Sequence, residues 1–402
     1  MKSIIQKLKW RAYHLWLEWK MKRIRKKEKI MFLFILQELS QWKTEMLYVA
    51  MVEHPKFLPI IGVTKCHDNP GAEERVISYC KQKGYPYMWL DPEKSITEQV
   101  DVDILTHQKP YSNEIYRAHF ICNNRSIPLI CIPYFLSTIT EEWIVNSKVS
   151  LLAWRQFCDN DSCREEWAKM SKLHGYNYVV TGLPMMDELL MPKDAFEDVW
   201  PVNDHRKRVI YAPHHTIADI HWKGIGYSTF LEYSQFMLEM RDKYKESVYF
   251  VFKPHPRLYV NLVRLWGEKA ARSYYDAWQQ PGISHVEVNE KYVSLFKHSD
   301  AMIHDCGSFT IEYLYTGNPV MYLIRDDHHK DNLTKTASQA FDLHYKGCSK
   351  EDIEHFIQMV IAGNDPLAQK RRDFADSCLK PPYGKSACEN IIHAILGQEE
   401  FR

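Results

Sequence analysis

The chain has 402 residues, a formal net charge of +1, 45% hydrophobic and 26% charged residues, an ordinary globular balance with room for two cores. Such neutrality excludes a dedicated polyanion binder, so nucleic acid is not an expected partner. The ten cysteines are scattered, with Cys158 and Cys163 the closest pair, which excludes a disulfide scaffold or zinc finger and points to a reduced compartment.

The charge is unevenly spread. Residues 1–30 hold eleven Lys/Arg against Glu18 and Glu28, a formal +9, leaving −8 for the remainder. The spacing predicts a basic amphipathic helix over residues 1–29. One stripe runs Ile4, Leu8, Leu15, Trp19, and another runs Trp10, Tyr13, Leu17, Met21, Ile24. Trp10, Trp16 and Trp19 among lysines and arginines suit an anionic membrane surface. The same pattern also suits a helix packed on the protein body. No apolar run approaches the ~20 residues of a membrane span, and Ile30–Leu36 reads as a buried strand without a signal-peptide cleavage site. The expected location is therefore cytoplasmic, peripheral on the inner face of the cell membrane.

From residue 30 strands and helices alternate, the pattern of parallel strands with crossover helices. Predicted strands are Ile30–Leu36, Phe57–Val63, Tyr87–Leu90, Val102–Leu105, Ile127–Ile132 and Tyr178–Val180. Predicted helices between them include Gln41–Val52, Glu73–Lys83 and Ser162–Leu173. Pro192–Arg206 reads as an interdomain linker. A second set follows: Arg208–Tyr211, Val248–Phe252, His285–Val288, Ala301–His304 and Val320–Leu323. The prediction is an α/β fold of two Rossmann-like domains facing across a cleft (GT-B type). Its parts are the helix at 1–29, an acceptor domain at 30–191, and a donor-nucleotide domain at 207–402 that includes the final helix.

In open parallel sheets ligands bind beyond the carboxyl ends of the strands, so chemistry is sought there. After Arg208–Tyr211 come Pro213, His214 and His215, able to bond phosphate or hydroxyls. After Val248–Phe252 comes Lys253-Pro254-His255-Pro256-Arg257. The prolines restrain the backbone, and a histidine between two cations suits a phosphate, as base or as donor. After Ala301–His304 comes Asp305-Cys306-Gly307-Ser308-Phe309-Thr310, with Glu312 a turn later. A glycine and two hydroxyls at a helix start suit a pyrophosphate, and Glu312 is placed to reach a ribose or polyol hydroxyl. Neither a G-x-G-x-x-G after the first strand nor a Walker sequence is present, so no dinucleotide cofactor is expected. Asp326-Asp327-His328-His329 invites a metal reading but lacks supporting ligands, and no metal is expected.

These segments together resemble the CDP-glycerol glycerophosphotransferase family of teichoic-acid and capsule synthesis. The resemblance rests on Gly182-Leu183-Pro184-Met185-Met186-Asp187, Tyr211-Ala212-Pro213, Pro254-His255-Pro256, Asp305 with Ser308 and Glu312, Asn318-Pro319-Val320, and Tyr383-Gly384-Lys385-Ser386-Ala387. It spans roughly residues 180–395. Members often carry a His-Gly motif in the N-terminal lobe. Here the corresponding Ile132-Pro133-Tyr134-Phe135-Leu136 has neither residue, which leaves the catalytic base open. Phe34 to Ser40 with Trp42 is similar to a subgroup linked to surface polysaccharide loci. The resemblance implies a GT-B type transferase of polyol phosphate (glycerol or ribitol) from a CDP-activated donor to a lipid-linked or surface glycan acceptor, with release of CMP. Together with the strand-end reading it gives His255, His214 and His215 as catalytic candidates, and Lys253, Arg257, Asp305, Gly307, Ser308, Thr310 and Glu312 as donor-binding candidates. Alternatives are a nucleotide-sugar transferase on the same fold and a non-catalytic, membrane-docked nucleotide-binding subunit.

Overall fold

The computed structural model describes residues 2–66, 69–111, 119, 123–139, 141–201, 203–217, 226–325 and 333–398. The chain forms two compact units, residues 1–188 with 380–402, and residues 189–379.

The first unit holds β1 (Ile30–Leu36), β2 (Phe57–Val63), β3 (Tyr87–Trp89), β4 (Ile104–His107), β5 (Leu129–Cys131), β6 (Arg155–Cys158) and β7 (Tyr178–Val180). They form one parallel sheet in the order β3-β2-β1-β4-β5-β6-β7. Strand β1 sits at its centre and is apolar along its whole length because both faces are covered. The second unit holds β8 (Lys207–Ala212), β9 (Val248–Phe252), β10 (Ser284–Val286), β11 (Ala301–His304), β12 (Val320–Leu323) and β13 (Tyr345–Gly347). Its sheet is also parallel, ordered β10-β9-β8-β11-β12-β13. Both orders repeat the Rossmann pattern, in which the strand order reverses beside the first strand. That point lies between β1 and β4 in one unit and between β8 and β11 in the other.

Two short strands were not expected from sequence. β6 begins Arg155-Gln156 and β13 reads Tyr-Lys-Gly, so neither presents an apolar run. The segment 192–206 differs from a linker as well. It belongs to the second unit, where Trp200 is buried and its Nε1 donates to the Leu295 carbonyl at 3.1 Å.

The N-terminal segment is a helix, Lys2–Ile24, and its two stripes have different fates. Leu17, Met21 and Ile24 are buried in the first unit, as is His14, whose Nε2 meets the Leu151 carbonyl at 2.9 Å. Glu18 pairs with Arg155 at 2.7 Å and accepts from Trp154 Nε1 at 3.0 Å. Leu15 and Trp19, on the other stripe, are 58% and 52% exposed. Burying three large apolar side chains stabilises by roughly 1.5–3 kcal/mol each, so the helix is part of the body and not a detachable arm.

The final helix, Ala387–Leu396, belongs to the first unit, not to the donor-nucleotide unit expected from sequence. Arg25 Nε donates to the Ile395 carbonyl at 2.7 Å, and Asn390 Nδ2 to the Thr181 carbonyl at 3.1 Å. The helix start is held by Asp187, whose two oxygens accept the N–H groups of Ala387 and Cys388 at 2.7 and 2.8 Å. Ser386 and Glu389 add a capping box. Gly182 has φ +74°, and a Cβ there would meet Pro381 Cβ at 2.9 Å. The two outer motifs of the resemblance, 182–187 and 383–387, are thus one clasp.

Candidate active site

In the second unit, β8, β9 and β11 end side by side at the strand-order reversal. Each ending is a stop. Pro213 closes β8 and Pro254 closes β9, since proline supplies no ladder N–H. His214 and His215 follow one strand and His255 the other. Their rings meet, with centroids 4.3 Å apart for His214–His215 and His215–His255, and 5.0 Å for His214–His255.

Local hydrogen bonds set the state of each ring. His255 Nδ1 accepts the N–H of Arg257 at 3.1 Å. His214 Nδ1 lies 3.0 Å from the Thr216 hydroxyl and 3.4 Å from the Thr216 N–H. That hydroxyl oxygen already accepts the N–H of Tyr227 at 2.9 Å, so its own proton is directed to His214. His215 Nδ1 faces the Asn261 amide at 3.4 Å, and the same Nδ2 donates to the His215 carbonyl at 2.9 Å, which orients that amide. The Nδ1 atoms of His214 and His255 therefore accept, while the His215 ring also bonds its own backbone carbonyl. In a neutral imidazole the proton then sits on Nε2.

The rings are neutral. Burial, with the other histidines and Arg257 adding repulsion, holds His214 and His255 well below the ordinary imidazole range. Burial first, then Arg257, lowers His215 to about 4. Among the described residues no protein group bonds an Nε2 of the three. The loops thus present two Nε2–H donors, from His214 and His255, beside a third neutral ring, with no net charge of their own.

One ring nitrogen from each histidine lies within 4.8 Å of the others, a spacing a metal ion could draw together. The tautomers argue for an anion instead. A metal-bound histidine donates through its second nitrogen, whereas His255 accepts there from a backbone N–H. The sequence Asp326–His329 lies outside the described residues.

Asp305, at the end of β11, is fully buried, and burial raises its carboxyl to about 6. Its Oδ1 accepts the His214 N–H at 2.5 Å, while Oδ2 accepts the N–H and hydroxyl of Thr229 at 2.7 and 3.0 Å. Asp305 therefore ties the histidine loop to β11 and to the helix Phe230–Tyr244, which Thr229 precedes. This differs from the donor contact expected of it. The helix after it is one turn, Phe309–Glu312, continued by a 3-10 turn, Tyr313–Thr316. The N–H groups of Gly307, Ser308 and Phe309 have no bond to described protein groups, and Ser308 makes no side-chain cap bond. Tyr227 joins this loop to the histidines. Its ring is 5.2 Å from that of His214, and a Cβ on Gly307 would lie 3.4 Å from it.

Other expected contacts are committed elsewhere. Thr310 is buried, and its hydroxyl donates to the Cys306 carbonyl at 3.4 Å. Glu312 is buried and accepts from the Tyr292 hydroxyl at 2.5 Å, so it does not present a carboxylate to a sugar. Lys253 is buried, and its Nζ donates to the Asn289 carbonyl at 2.8 Å over the Tyr292 ring. Arg257 is half-buried beside the histidines. Thr216, Tyr227 and Thr229 were not singled out from sequence, since only the folded loops bring them to His214 and Asp305.

The family model of CDP-glycerol:poly(glycerophosphate) glycerophosphotransferase matches residues 156–396, more than half of the sequence. The chain belongs to this family. It is a glycerophosphotransferase-type enzyme, and the matched span contains every strand-end residue described above. A search of curated protein sequences finds no match. Among solved structures, the wall teichoic acid polymerase TagF is similar over 98% of this chain and 97% of that one, at 13% identity and a TM-score of 0.59. MnaA from S. aureus, solved with UDP, is similar over 93% and 98%, at 16% identity and a TM-score of 0.61. The UDP-GlcNAc 2-epimerase of Neisseria meningitidis, bound to UDP-GlcNAc, covers 92% and 99% at 16% identity and a TM-score of 0.61. These likenesses establish the GT-B type fold of the glycerophosphotransferase. No helix among its described residues is long and apolar enough to cross a membrane.

Proposed function

We propose that the enzyme transfers a polyol phosphate, glycerol- or ribitol-phosphate, from a CDP-activated donor to a hydroxyl of a lipid-linked or surface glycan. The observation that carries this reading is the trio of neutral histidines, two of them with Nε2–H groups, at the reversal point of the second sheet. Phosphate oxygens accept from such donors, and the N–H groups at Gly307–Phe309, unbonded among the described residues, supply a second set. The acceptor hydroxyl oxygen attacks the phosphorus bonded to the polyol, and its proton passes to the departing CMP phosphate or to solvent. The bond from that phosphorus to the CMP oxygen breaks, and CMP leaves with the electron pair. Stabilising charge on the transferring group is the main demand of such a step. His214 and His255 meet it as donors with His215 packed against both rings, Arg257 adding positive field and Asp305 holding the His214 loop. Work at the inner face of a membrane fits the exposed Leu15 and Trp19 among the basic residues of the first helix.

The test is a donor panel. Full-length protein is incubated with CDP-glycerol, CDP-ribitol and nucleotide sugars over an acceptor preparation, and the nucleotide product is identified. The expected product is CMP from a CDP-polyol. Release of a nucleoside diphosphate from a nucleotide sugar would replace this reading with sugar transfer. Donor binding without turnover on any acceptor would favour a non-catalytic subunit.

A further inference from the structure

Tyr227, Ser228 and Thr229 lead the chain into the helix Phe230–Tyr244, and all three are anchored beside the histidines. The N–H groups of Tyr227 and Ser228 donate to the Thr216 hydroxyl oxygen at 2.9 and 3.4 Å. Thr229 donates its N–H and its hydroxyl to Asp305 at 2.7 and 3.0 Å. The same two groups hold His214, Thr216 at its ring and Asp305 at its backbone N–H. The bonds that place His214 therefore also place Tyr227, so its side chain is in position before any ligand arrives.

That side chain stands between two parts of the site. Its ring is edge-on to His214, with centroids 5.2 Å apart and planes at 84°. Its phenol end faces Gly307, where a Cβ would lie 3.4 Å from both Cζ and Oη. Gly307 is not one of the glycines with positive φ, so a left-handed backbone does not call for glycine there. What the missing side chain leaves is the space of a methyl group between the phenol and the loop. His214, Tyr227, His255, Arg257 and Gly307–Phe309 are all partly exposed, while Thr216, Thr229 and Asp305 behind them are buried. The site thus has a front row that a ligand can reach and a buried row that holds it. The carboxylates near it, Asp305 and Glu312, are buried and spend their oxygens on protein donors. A front row of N–H donors, a guanidinium and a phenol favours a ligand with several anionic oxygens. Phenylalanine would make the same ring contacts with His214 and Gly307, so those contacts do not account for the hydroxyl.

We propose that Tyr227 is a further residue of the active site, whose phenol hydroxyl donates to a phosphate oxygen of the bound donor between the His214 ring and the loop Gly307–Phe309. Naming the ligand as a CDP-activated donor rests on the transferase reading above; the contact between phenol and phosphate does not.

The full chain, with its tyrosines isotopically labelled at Cζ, tests this by NMR with inorganic pyrophosphate and CDP as separate probes. The signal that is missing from Tyr227→Phe identifies the phenol, and it is expected to shift when either probe binds. By calorimetry, Tyr227→Phe should bind both probes roughly 10–100-fold more weakly, the scale of a hydrogen bond to a charged group. Its unfolding temperature should stay at the parent value, because the ring contacts and the backbone bond to Thr216 remain. Gly307→Ala puts a methyl at ordinary contact distance from the phenol, so it should fold and also weaken both probes; if Tyr227→Phe does not fold, Gly307→Ala decides. An unmoved signal at saturating probe, parental affinity in the folded variants, or no binding of either probe by the parent overturns the contact. The transfer assay separates the two readings. A shifted phenol signal with no CMP release from any CDP-polyol removes the transferase reading and leaves the contact. CMP release by Tyr227→Phe with parental kcat and donor KM removes Tyr227 from the site and leaves the transferase.

Discussion

At the scale of single residues, the chemistry of the histidine trio comes from their Nδ1 partners. Pro-His-Pro between two cations was legible in the sequence, and so was His214-His215. Their tautomers were not, because these depend on Thr216, Tyr227 and Asn261 folding back onto the rings. The sequence left His255 as either base or phosphate donor. The Arg257 N–H on Nδ1 supports the donor. His255→Ala should then lower turnover by roughly 10²–10³-fold, the scale for losing one preorganised oxyanion donor. His255→Gln, which can place an N–H near Nε2, should recover part of it. Measuring turnover and thermal unfolding on the same preparations checks this, and a folded alanine variant with full turnover removes His255 from the mechanism. The same burial makes a pH prediction. A histidine depressed below its unfolded value of about 6.5 adds stability above that pH and loses it as pH falls through the folded value. His214, His215 and His255 all have that sign, as do His107, His304 and His344. Asp305, raised to about 6, has the opposite sign in the same window, as do the raised Asp159 and Asp187, but with His14, His54, His119 and His285 also lowered they are three carboxyls against ten histidines. Chemical unfolding should therefore show stability falling between pH 6.5 and about 4, and a flat or rising profile would contradict these protonation states.

At the scale of elements, the long apolar strands were legible because both faces of a parallel sheet are buried and leave continuous hydrophobic runs. Val248–Phe252, Ala301–His304 and Val320–Leu323 have the expected bounds. β6 and β13 were missed because they are short and carry Arg, Gln, Lys or Gly. Their place at or near a sheet edge is set by neighbours and not by their own pattern. The clasp was legible only as two separate motifs, since about 200 residues separate them and local periodicity is blind to such a pairing. Asp187 acts there as a remote cap for the last helix. Asp187→Ala should cost about 1–3 kcal/mol, the range for a lost cap and unsatisfied N–H groups. Urea unfolding of the full chain reads this directly, and a change under 0.5 kcal/mol, the scatter of neutral surface substitutions, would mean that the helix is held by packing alone. Gly182→Ala should be worse than a surface change for two reasons, the left-handed backbone and the contact with Pro381.

At the scale of the molecule, the first helix carries a structural stripe and an exposed one. Composition suggested both readings, and it could not show that they apply to different faces. Deleting residues 1–29 should therefore damage the first unit by uncovering the side chains against which Leu17, Met21 and Ile24 pack. That differs from a tail removable without cost. The informative variant replaces Leu15, Trp19 and Lys22 with serine, because all three are exposed. It should keep its unfolding temperature and lose affinity for anionic vesicles, and the affinity of the parent chain should fall with added salt. Equal vesicle binding by parent and variant would leave the exposed stripe without a membrane role. The chain order of the two units has a further consequence during synthesis. The first unit needs residues 380–402, so a ribosome emits all of the second unit before the first can close. Its β1 to β7 sheet must wait, with the surface meant for the last helix open to solvent, while residues 189–379 emerge and fold. A nascent chain stalled before residue 380 should thus be protease-resistant in its later half and sensitive in its earlier one, the reverse of the usual order in which domains mature.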